Sequence, residues 1–371
     1  MLPFILDYLV PFVLVLSVVV FVHEYGHYWV ARRNGVRVEV FSIGFGRELF
    51  GLNDSHGTRW KFSLVPLGGY VKMLGDADAT SATKDEATAS RPDSFPAKTV
   101  WQRMAIVVAG PLANFVYAIV ALALLFATAG RPYTPAEVGE VQADSAAAAA
   151  GLMPGDRILA IGDQEIAVFE DLQAIVARSA AVPLRFVLQR DGQRVEREVT
   201  PDLREVTDRF GNVHKIGRIG VSRGSTEFRR SDPFTAIAGA TMETGKILGG
   251  TLVSLGQLIV GARDTSELGG PLRIAQMTGE VARDGWINLL WFSAVLSINL
   301  GLINLFPIPM LDGGHLVLYA VEATRGRPLT ERSQEIAFRF GLAMVLSLMV
   351  FATWNDLVHL KVVEFFVRLI S

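Results

Sequence analysis

The chain has 371 residues, enough for two or three domains. Half of them are hydrophobic, the mean hydropathy is +0.35 and 19% are charged, against about 25% in a soluble globular protein, so a membrane location is indicated. A formal net charge of -2 excludes the basic footprint of a nucleic-acid binder, and the absence of cysteine excludes disulfides and thiolate metal sites.

Three segments have the roughly 20 apolar residues that a helix needs to cross the hydrocarbon core. They run from Phe4 to Trp29, from Val100 to Thr128 and from Trp286 to Phe306. A fourth, weaker one lies between Ile336 and Trp354 and is interrupted by Arg339. The first lacks a basic start, carries Asp7 and is followed by no small-residue cleavage site, so it reads as a retained span and not as a signal peptide. Basic residues flank the spans unevenly. Arg32, Arg33 and Arg37 follow the first, Lys98 and Arg103 open the second, and Arg325, Arg327 and Arg332 separate the third from the fourth. Positive charge favours the cytoplasmic side, which puts both termini and the segment between spans two and three outside the cytoplasm.

Between the spans the chain divides by composition. Residues 1–31 form the first transmembrane helix. Residues 32–99 begin as β-rich, Gly-rich sequence lying against the membrane and continue, from about Asp76 to Pro96, as a flexible loop of Ala, Ser, Thr, Asp and Lys. Residues 100–130 are the second transmembrane helix, and residues 131–224 read as a small soluble α+β domain. Within it Val138–Val141 and Arg157–Ile161 are strands, Phe169–Ala177 has helical spacing, and Asp191-Gly192 marks a hairpin. Residues 225–285 form an amphipathic membrane-associated segment, apolar enough from Phe234 to Val260 to lie on or in the membrane, and residues 286–371 hold the third and fourth spans with the Leu311-Asp312-Gly313 motif.

The strongest chemical signal is His23-Glu24-Tyr25-Gly26-His27 at the end of the first span. On a helix, positions i and i+4 share a face, so the two histidines can grip one zinc ion, with Glu24 placed to take a proton from the water that the metal activates. An ionised Glu at mid-bilayer costs about 2.5–3.5 kcal/mol, so three ionisable residues within five positions of a span need a compensating role. The alternative is a polar helix end facing a watery interface. Catalytic zinc takes three protein ligands and keeps one open position. Asp312 is the best candidate for the third, with His315 as the alternative. The run Asn304-Leu305-Phe306-Pro307-Ile308-Pro309-Met310-Leu311-Asp312-Gly313-Gly314 cannot stay helical through both prolines. Unwound backbone at membrane depth is tolerated where it lines a cavity or is buried in protein. Around Pro307 and Pro309 it can offer free backbone groups to an extended substrate, with Asn304 adding an amide. His56, His214 and His359 read as surface or packing residues.

At these residues the chain resembles the site-2 proteases, intramembrane zinc metalloproteases, and most closely their bacterial regulator of sigma-E protease branch. The resemblance runs in order over nearly the whole length. It rests on the H-E-x-x-H, on Gly110-Pro111-Leu112-Ala113-Asn114 in the second span and on Asn304 to Gly313. Gly44-Phe45-Gly46 and Pro66 to Met73 match the family's membrane-associated β region, and Ala150 to Asp156 is similar to a bacterial PDZ signature. It implies a multi-pass α-helical membrane protein of about four transmembrane helices, with a membrane-associated β region and an inserted α+β PDZ-like domain. It implies zinc bound by His23, His27 and Asp312, with Glu24 as catalytic base. It further implies that the β region, with Gly44, Phe45, Gly46, Gly68, Gly69 and Tyr70, holds an unwound substrate helix. Implied substrates are single-pass membrane proteins of the anti-sigma factor type and signal-peptide remnants, in a lipid bilayer, after trimming by an upstream site-1 protease. The implied location is the bacterial inner membrane, with the PDZ-like domain on the periplasmic side and the active site towards the cytoplasm. The PDZ-like domain is expected to bind peptides or to refuse bulky substrates by size. The rival readings are a non-catalytic scaffold and a metal transporter. A complete H-E-x-x-H with an Asp partner disfavours the first, and the presence of one ligand cluster instead of a relay disfavours the second.

Overall fold

The computed structural model describes residues 5–76, 90–207, 213–224, 227–261, 269–327 and 329–359. Most of the loop expected between Asp76 and Pro96, and the start of the first span at Phe4, lie outside them. The chain divides into two compact units, the first made of Met1–Leu125, Thr235–Leu255 and Thr265–Ser371, the second of Phe126–Phe234 and Gly256–Asp264.

In the first unit, helix α1 (Val10–Arg33) follows a π-helical turn at Ile5–Leu9. Its buried residues Phe12, Val15, Val19, His23, Gly26 and His27 recur at intervals of one to four, one face of a helix. The histidine pair therefore points into the protein because it continues the core stripe. Helix α2 (Val100–Thr128) crosses α1 where side chains are smallest: a β-carbon on Gly26 would overlap the Ala109 carbonyl. Four helices are long and apolar enough to cross a membrane: Leu6–Arg33, Val100–Thr128, Trp286–Asn304 and Arg332–Val358. Apolar helices have little hydrophobic reason to associate in lipid, and polar contacts supply one. Tyr117 Oη meets Ser293 Oγ at 2.9 Å, Ser297 Oγ donates to the Asn114 carbonyl at 3.0 Å, and Thr251 donates to Asn299 at 3.0 Å.

Between the first two spans, β1 (Val38–Asn53) and β2 (Arg59–Met73) pair antiparallel with repeated register shifts. Val40–Ile43 lies beside two stretches of β2, Arg59–Phe62 and Gly69–Lys72, so the long ribbon folds back on itself. Leu49, Phe50, Leu52 and Leu64 are exposed, an apolar outer surface suited to the membrane. The turn of the ribbon is tied to α1 through Asp54, which accepts from the backbone of His56 and Thr58, from Trp60 Nε1 and from the Tyr28 hydroxyl. Burial works against the charged form, but those donors outweigh it and hold the Asp54 carboxyl down at about 2.

The segment 225–285, which the sequence left open between crossing and lying on the membrane, is largely two helices, α5 (Pro233–Ile259) and α6 (Pro271–Arg283). Neither is among the four helices long and apolar enough to cross a membrane. The third span, α7 (Trp286–Asn304), stops two residues before the expected Phe306, because Leu305 and Phe306 close a turn and Pro307 has no N–H to extend the helix. Helix α8 runs over Asp312–Arg325 and α9 over Glu331–His359. Arg339 does not interrupt α9: its charge is paired with Glu335 one turn earlier, at 2.6 Å. Near its other end, Asp356 of α9 is 1% exposed and accepts from the backbone N–H groups of Gly270, Leu272 and Arg273. A side chain from one helix thus caps the start of another.

The second unit is α+β, and it holds the strands β3 (Arg131–Tyr133) and β4 (Val138–Val141) and the helices α3 (Ala146–Ala149) and α4 (Phe169–Arg178). A four-stranded sheet in the order β6-β5-β7-β8 is built from β5 (Arg157–Ile161), β6 (Gln164–Glu165), β7 (Leu184–Arg190) and β8 (Gln193–Val199). Asp191 and Gly192 both have positive φ (49° and 80°), as the two-residue hairpin between β7 and β8 requires. The core joins Ile158, Phe186 and Leu188 of the sheet to Leu172 and Val176 of the helix Phe169–Arg178. Ser145 caps the short helix Ala146–Ala149 by accepting from the Ala148 N–H at 3.2 Å. The turn at Pro154-Gly155-Asp156 is closed by Asp156, which takes two bonds from the Arg190 guanidinium, each 2.7 Å, and one from the Met153 N–H.

Candidate metal centre

His23 and His27 stand one turn apart on α1, and Asp312 opens α8. The unwound run between α7 and α8 brings the carboxylate to the histidines. Ile308 to Leu311 forms a β-turn closed by the Leu311 N–H on the Ile308 carbonyl, 3.0 Å, with Pro309 second and Met310 third. Met310 has φ 86°, the positive value that the third position of a type II turn demands and that a methionine rarely adopts. Gly313 and Gly314 follow because α8 begins directly against this run. A β-carbon on Gly313 would overlap the Leu305 and Phe306 carbonyls, and one on Gly314 would overlap that of Ile308. On the other side the Pro309 carbonyl is seated against Gly341 of α9, again with no room for a side chain.

The result is a triangle of donor atoms. Nε2 of His23 lies 3.2 Å from Asp312 Oδ2, Nε2 of His27 lies 3.5 Å from it, and the two nitrogens are 3.3 Å apart. Zinc–nitrogen bonds of about 2.0–2.1 Å in a tetrahedron put neighbouring donors about 3.3–3.4 Å apart, so the three edges fit a zinc ion. Oδ2 is buried and makes no hydrogen bond among the described residues, the state of an oxygen with a metal as its partner. Among the described residues this is the group of three His, Asp or Glu side chains close enough to share a metal, and His315 does not belong to it. Its ring packs instead against Tyr319 and Phe338.

The histidines are held from behind. His27 Nδ1 donates to the Ile106 carbonyl at 2.9 Å, and His23 Nδ1 lies 3.2 Å from the Asn114 side-chain amide. Glu24 is packed by the ribbon, since a β-carbon on Gly69 would come within 3.0 Å of its Cγ and within 2.8 Å of Val20. Phe45 stacks on Tyr70 at 6.1 Å, and Gly68 faces the Phe45 ring too closely for any side chain. Gly44, with φ 90°, lies against the Ser63 and Val65 carbonyls, whereas Gly46 has open space around it. Asn304 ends α7, Pro307 is exposed in the unwound run, and Pro309 sits in its turn. The structure thus gathers the two histidines with Asp312, Gly69 with Glu24, and Gly68 with Phe45 and Tyr70.

The model of peptidase family M50 matches residues 11–348, nearly the whole chain. The chain belongs to peptidase family M50, the site-2 proteases. Two M50 relatives agree with it in length as well as in sequence. A chain of Agrobacterium fabrum, named as a candidate zinc metalloprotease, is 46% identical over 363 residues, covering 95% of this chain and 96% of its own. Metalloprotease MmpA of Caulobacter vibrioides is 40% identical over 385 residues, with 96% and 97% covered. Regulator of sigma-E protease RseP of Salmonella typhimurium is 34% identical, with 94% and 98% covered. That last alignment extends over 446 positions, so the relative carries a further stretch long enough for a small domain. As an M50 member the protein is a zinc metalloprotease, its cofactor is Zn2+, and its substrates are membrane-embedded.

Sequence reasoning missed three contributors. Ile106 acts through a backbone carbonyl, which no side chain advertises. Asn114 and Gly110 were visible only as part of a family-like motif, although a polar residue and a glycine four apart inside a span are a signal in themselves. Gly110 leaves space for the His27 ring, which a β-carbon there would overlap.

Proposed function

We propose that this protein hydrolyses peptide bonds within or at the edge of the transmembrane segments of single-pass proteins already trimmed on their exported side. The observation that carries the reading is the donor triangle of 3.2–3.5 Å made by His23, His27 and Asp312 at the buried end of a membrane span. These three residues hold zinc. When bound, zinc supplies a Lewis acid that polarises the scissile carbonyl and makes water nucleophilic at neutral pH. Glu24, next to His23 on the same helix, removes the proton from the attacking water and returns it to the departing amine. Gly69 keeps the ribbon against Glu24 without a side chain between them. The ribbon around Gly44, Phe45, Gly46, Gly68 and Tyr70, with the unwound run at Asn304, Pro307 and Pro309, receives the substrate as an extended strand, whose backbone groups then find partners out of water.

The α+β unit around Ile158 and Phe186 acts as a PDZ-like domain outside the cytoplasm, either binding peptide ends or refusing substrates that still carry bulky exported domains. The basic residues at 32–37, 98–103 and 325–332 support an active site towards the cytoplasm of a bacterial inner membrane. Substrates of the anti-sigma factor type, and signal-peptide remnants, have the required form, and an upstream site-1 protease would prepare the former. Incubation of the purified chain in lipid with trimmed single-span substrates, followed by mass spectrometry of the products, tests this. Cuts inside the span, lost on chelation and restored by zinc, support it. Cuts confined to soluble loops, or none by the zinc-loaded protein, contradict it.

A further inference from the structure

Asp312 opens α8, so its place in the donor triangle follows from the roll and tilt of that helix. The unwound run fixes one end, where Gly313 and Gly314 lie against the carbonyls of Leu305, Phe306 and Ile308. A rod held at one end still turns about its axis. A roll of about 10° carries a side-chain tip, about 5–6 Å from the axis, through about 1 Å. A second hold is therefore needed further along. Asp312, His315, Tyr319 and Glu322 are spaced by three, four and three residues, so they share one face of α8. Arg103, Ile106 and Gly110 share one face of α2 in the same way. The two faces meet at Arg103. Its Nη2 donates to Glu322 Oε1 at 2.6 Å, its Nε donates to the Lys98 carbonyl at 3.2 Å, and its Cζ stands 4.8 Å from the centre of the Tyr319 ring. The paired side chains are 15% and 16% exposed, so water and salt screen them little. Leu316 and Tyr319 extend the contact by packing against a core cluster that includes Ile106 and Val107.

The same face of α2 governs His27. The Ile106 carbonyl, one turn after Arg103, accepts from its Nδ1, and Gly110, a further turn on, leaves room for its ring. Helix α2 is thus the common reference for two ligands that come from different helices. We infer that Arg103 and Glu322 are positioning residues for the metal centre, whose ion pair sets the roll of α8 against α2 and so the distance of Asp312 from His27. The inference rests on the reading of His23, His27 and Asp312 as zinc ligands. An apolar pair of similar size would hold the helices together as well, since a buried ion pair often adds no net stability over its hydrophobic replacement. What the pair adds is direction. Carboxylate, carbonyl and ring engage the guanidinium on three sides at once, and a roll of α8 breaks two of the three.

Replacing the pair by packing of similar volume separates position from stability. The full chain in lipid is compared as wild type, Arg103→Met/Glu322→Leu and Arg103→Lys. Thermal unfolding, the zinc dissociation constant, the absorption spectrum of the cobalt-substituted forms, and kcat and KM on a trimmed single-span substrate are measured. The double variant is expected to unfold at the wild-type temperature or above and to bind zinc about tenfold more weakly. Its cobalt spectrum shifts, and kcat falls by about 10²-fold at unchanged KM. Arg103→Lys keeps the charge and loses the fork, so it shifts the cobalt spectrum by less in the same sense, and it decides alone if the double variant does not fold. A wild-type cobalt spectrum and zinc affinity in the deciding variant overturn the inference, even if its activity falls together with its stability. A wild type that takes up zinc without cleaving overturns the proposed function and leaves the zinc and cobalt readouts to decide the inference. One that takes up no zinc overturns both.

Discussion

Gly110 of the second span stands directly against the imidazole of His27, so close that a β-carbon at position 110 would overlap Nε2. The ring keeps its place because α2 presents no side chain there and offers the Ile106 carbonyl one turn earlier. In Gly110→Ala the ring must rotate or the helices must part, and either breaks the donor triangle. Zinc affinity is expected to fall at least about tenfold, as it does when a ligand's orienting partner is lost. Metal content after dialysis against a weak chelator reads this directly, and full zinc occupancy of the variant would sink the argument.

Asp356 ties α9 to α6 by accepting three backbone N–H groups from a fully buried position. Asp356→Ala strands those donors, at an expected cost of about 1–3 kcal/mol. Asp356→Asn, with one accepting oxygen, falls between. Amide hydrogen exchange at Leu272 and Arg273 is the measurement: faster exchange in the order Ala, Asn, wild type is expected, and unchanged protection counts against the cap.

In the second unit the Asp156 carboxyl is held below its ordinary range. Burial pushes the other way, but the Arg190 guanidinium and the Met153 N–H outweigh it. A carboxyl with a depressed native pKa contributes stability that is complete above its unfolded value, about 3.9, and is lost as pH falls through the native value. Arg190→Gln removes the main cause, so the β7–β8 amides should lose exchange protection at a higher pH than in wild type. Identical acid profiles would show that the pair does not stabilise the unit.

Met310 holds a positive φ that favours glycine, in the turn that delivers Asp312. A non-glycine residue there costs on the order of 1 kcal/mol. Met310→Gly should relieve it and raise thermal stability, while Gly341→Ala should press on the Pro309 carbonyl, disturb the turn and weaken zinc binding. A Met310→Gly variant less stable than wild type would mean that the methionine side chain matters more than its backbone.

What was readable in the sequence follows the range of the interactions. The i, i+4 histidines, the pairing of Asp191 with Gly192 and the strands at Val138–Val141 and Arg157–Ile161 depend on neighbours a few positions away, so spacing and turn chemistry expose them. Asp312 was legible because two prolines must break a span and a carboxylate follows. The Asp356 cap joins residues more than 80 positions apart and uses backbone donors, and the Ile106 carbonyl is identical to every other carbonyl. The end of α7 at Asn304 was placed too late because apolar composition continues through Leu305 and Phe306 after the hydrogen bonding has changed.

The most direct test compares wild type with Glu24→Gln, measuring bound zinc and the rate of cleavage of a trimmed single-span substrate in lipid. Equal zinc in both, with cleavage by the variant slower by about 10²–10⁴-fold, is the predicted result. Equal cleavage rates, or a wild type that cleaves with no zinc bound, would contradict the assignment of the centre formed by His23, His27 and Asp312.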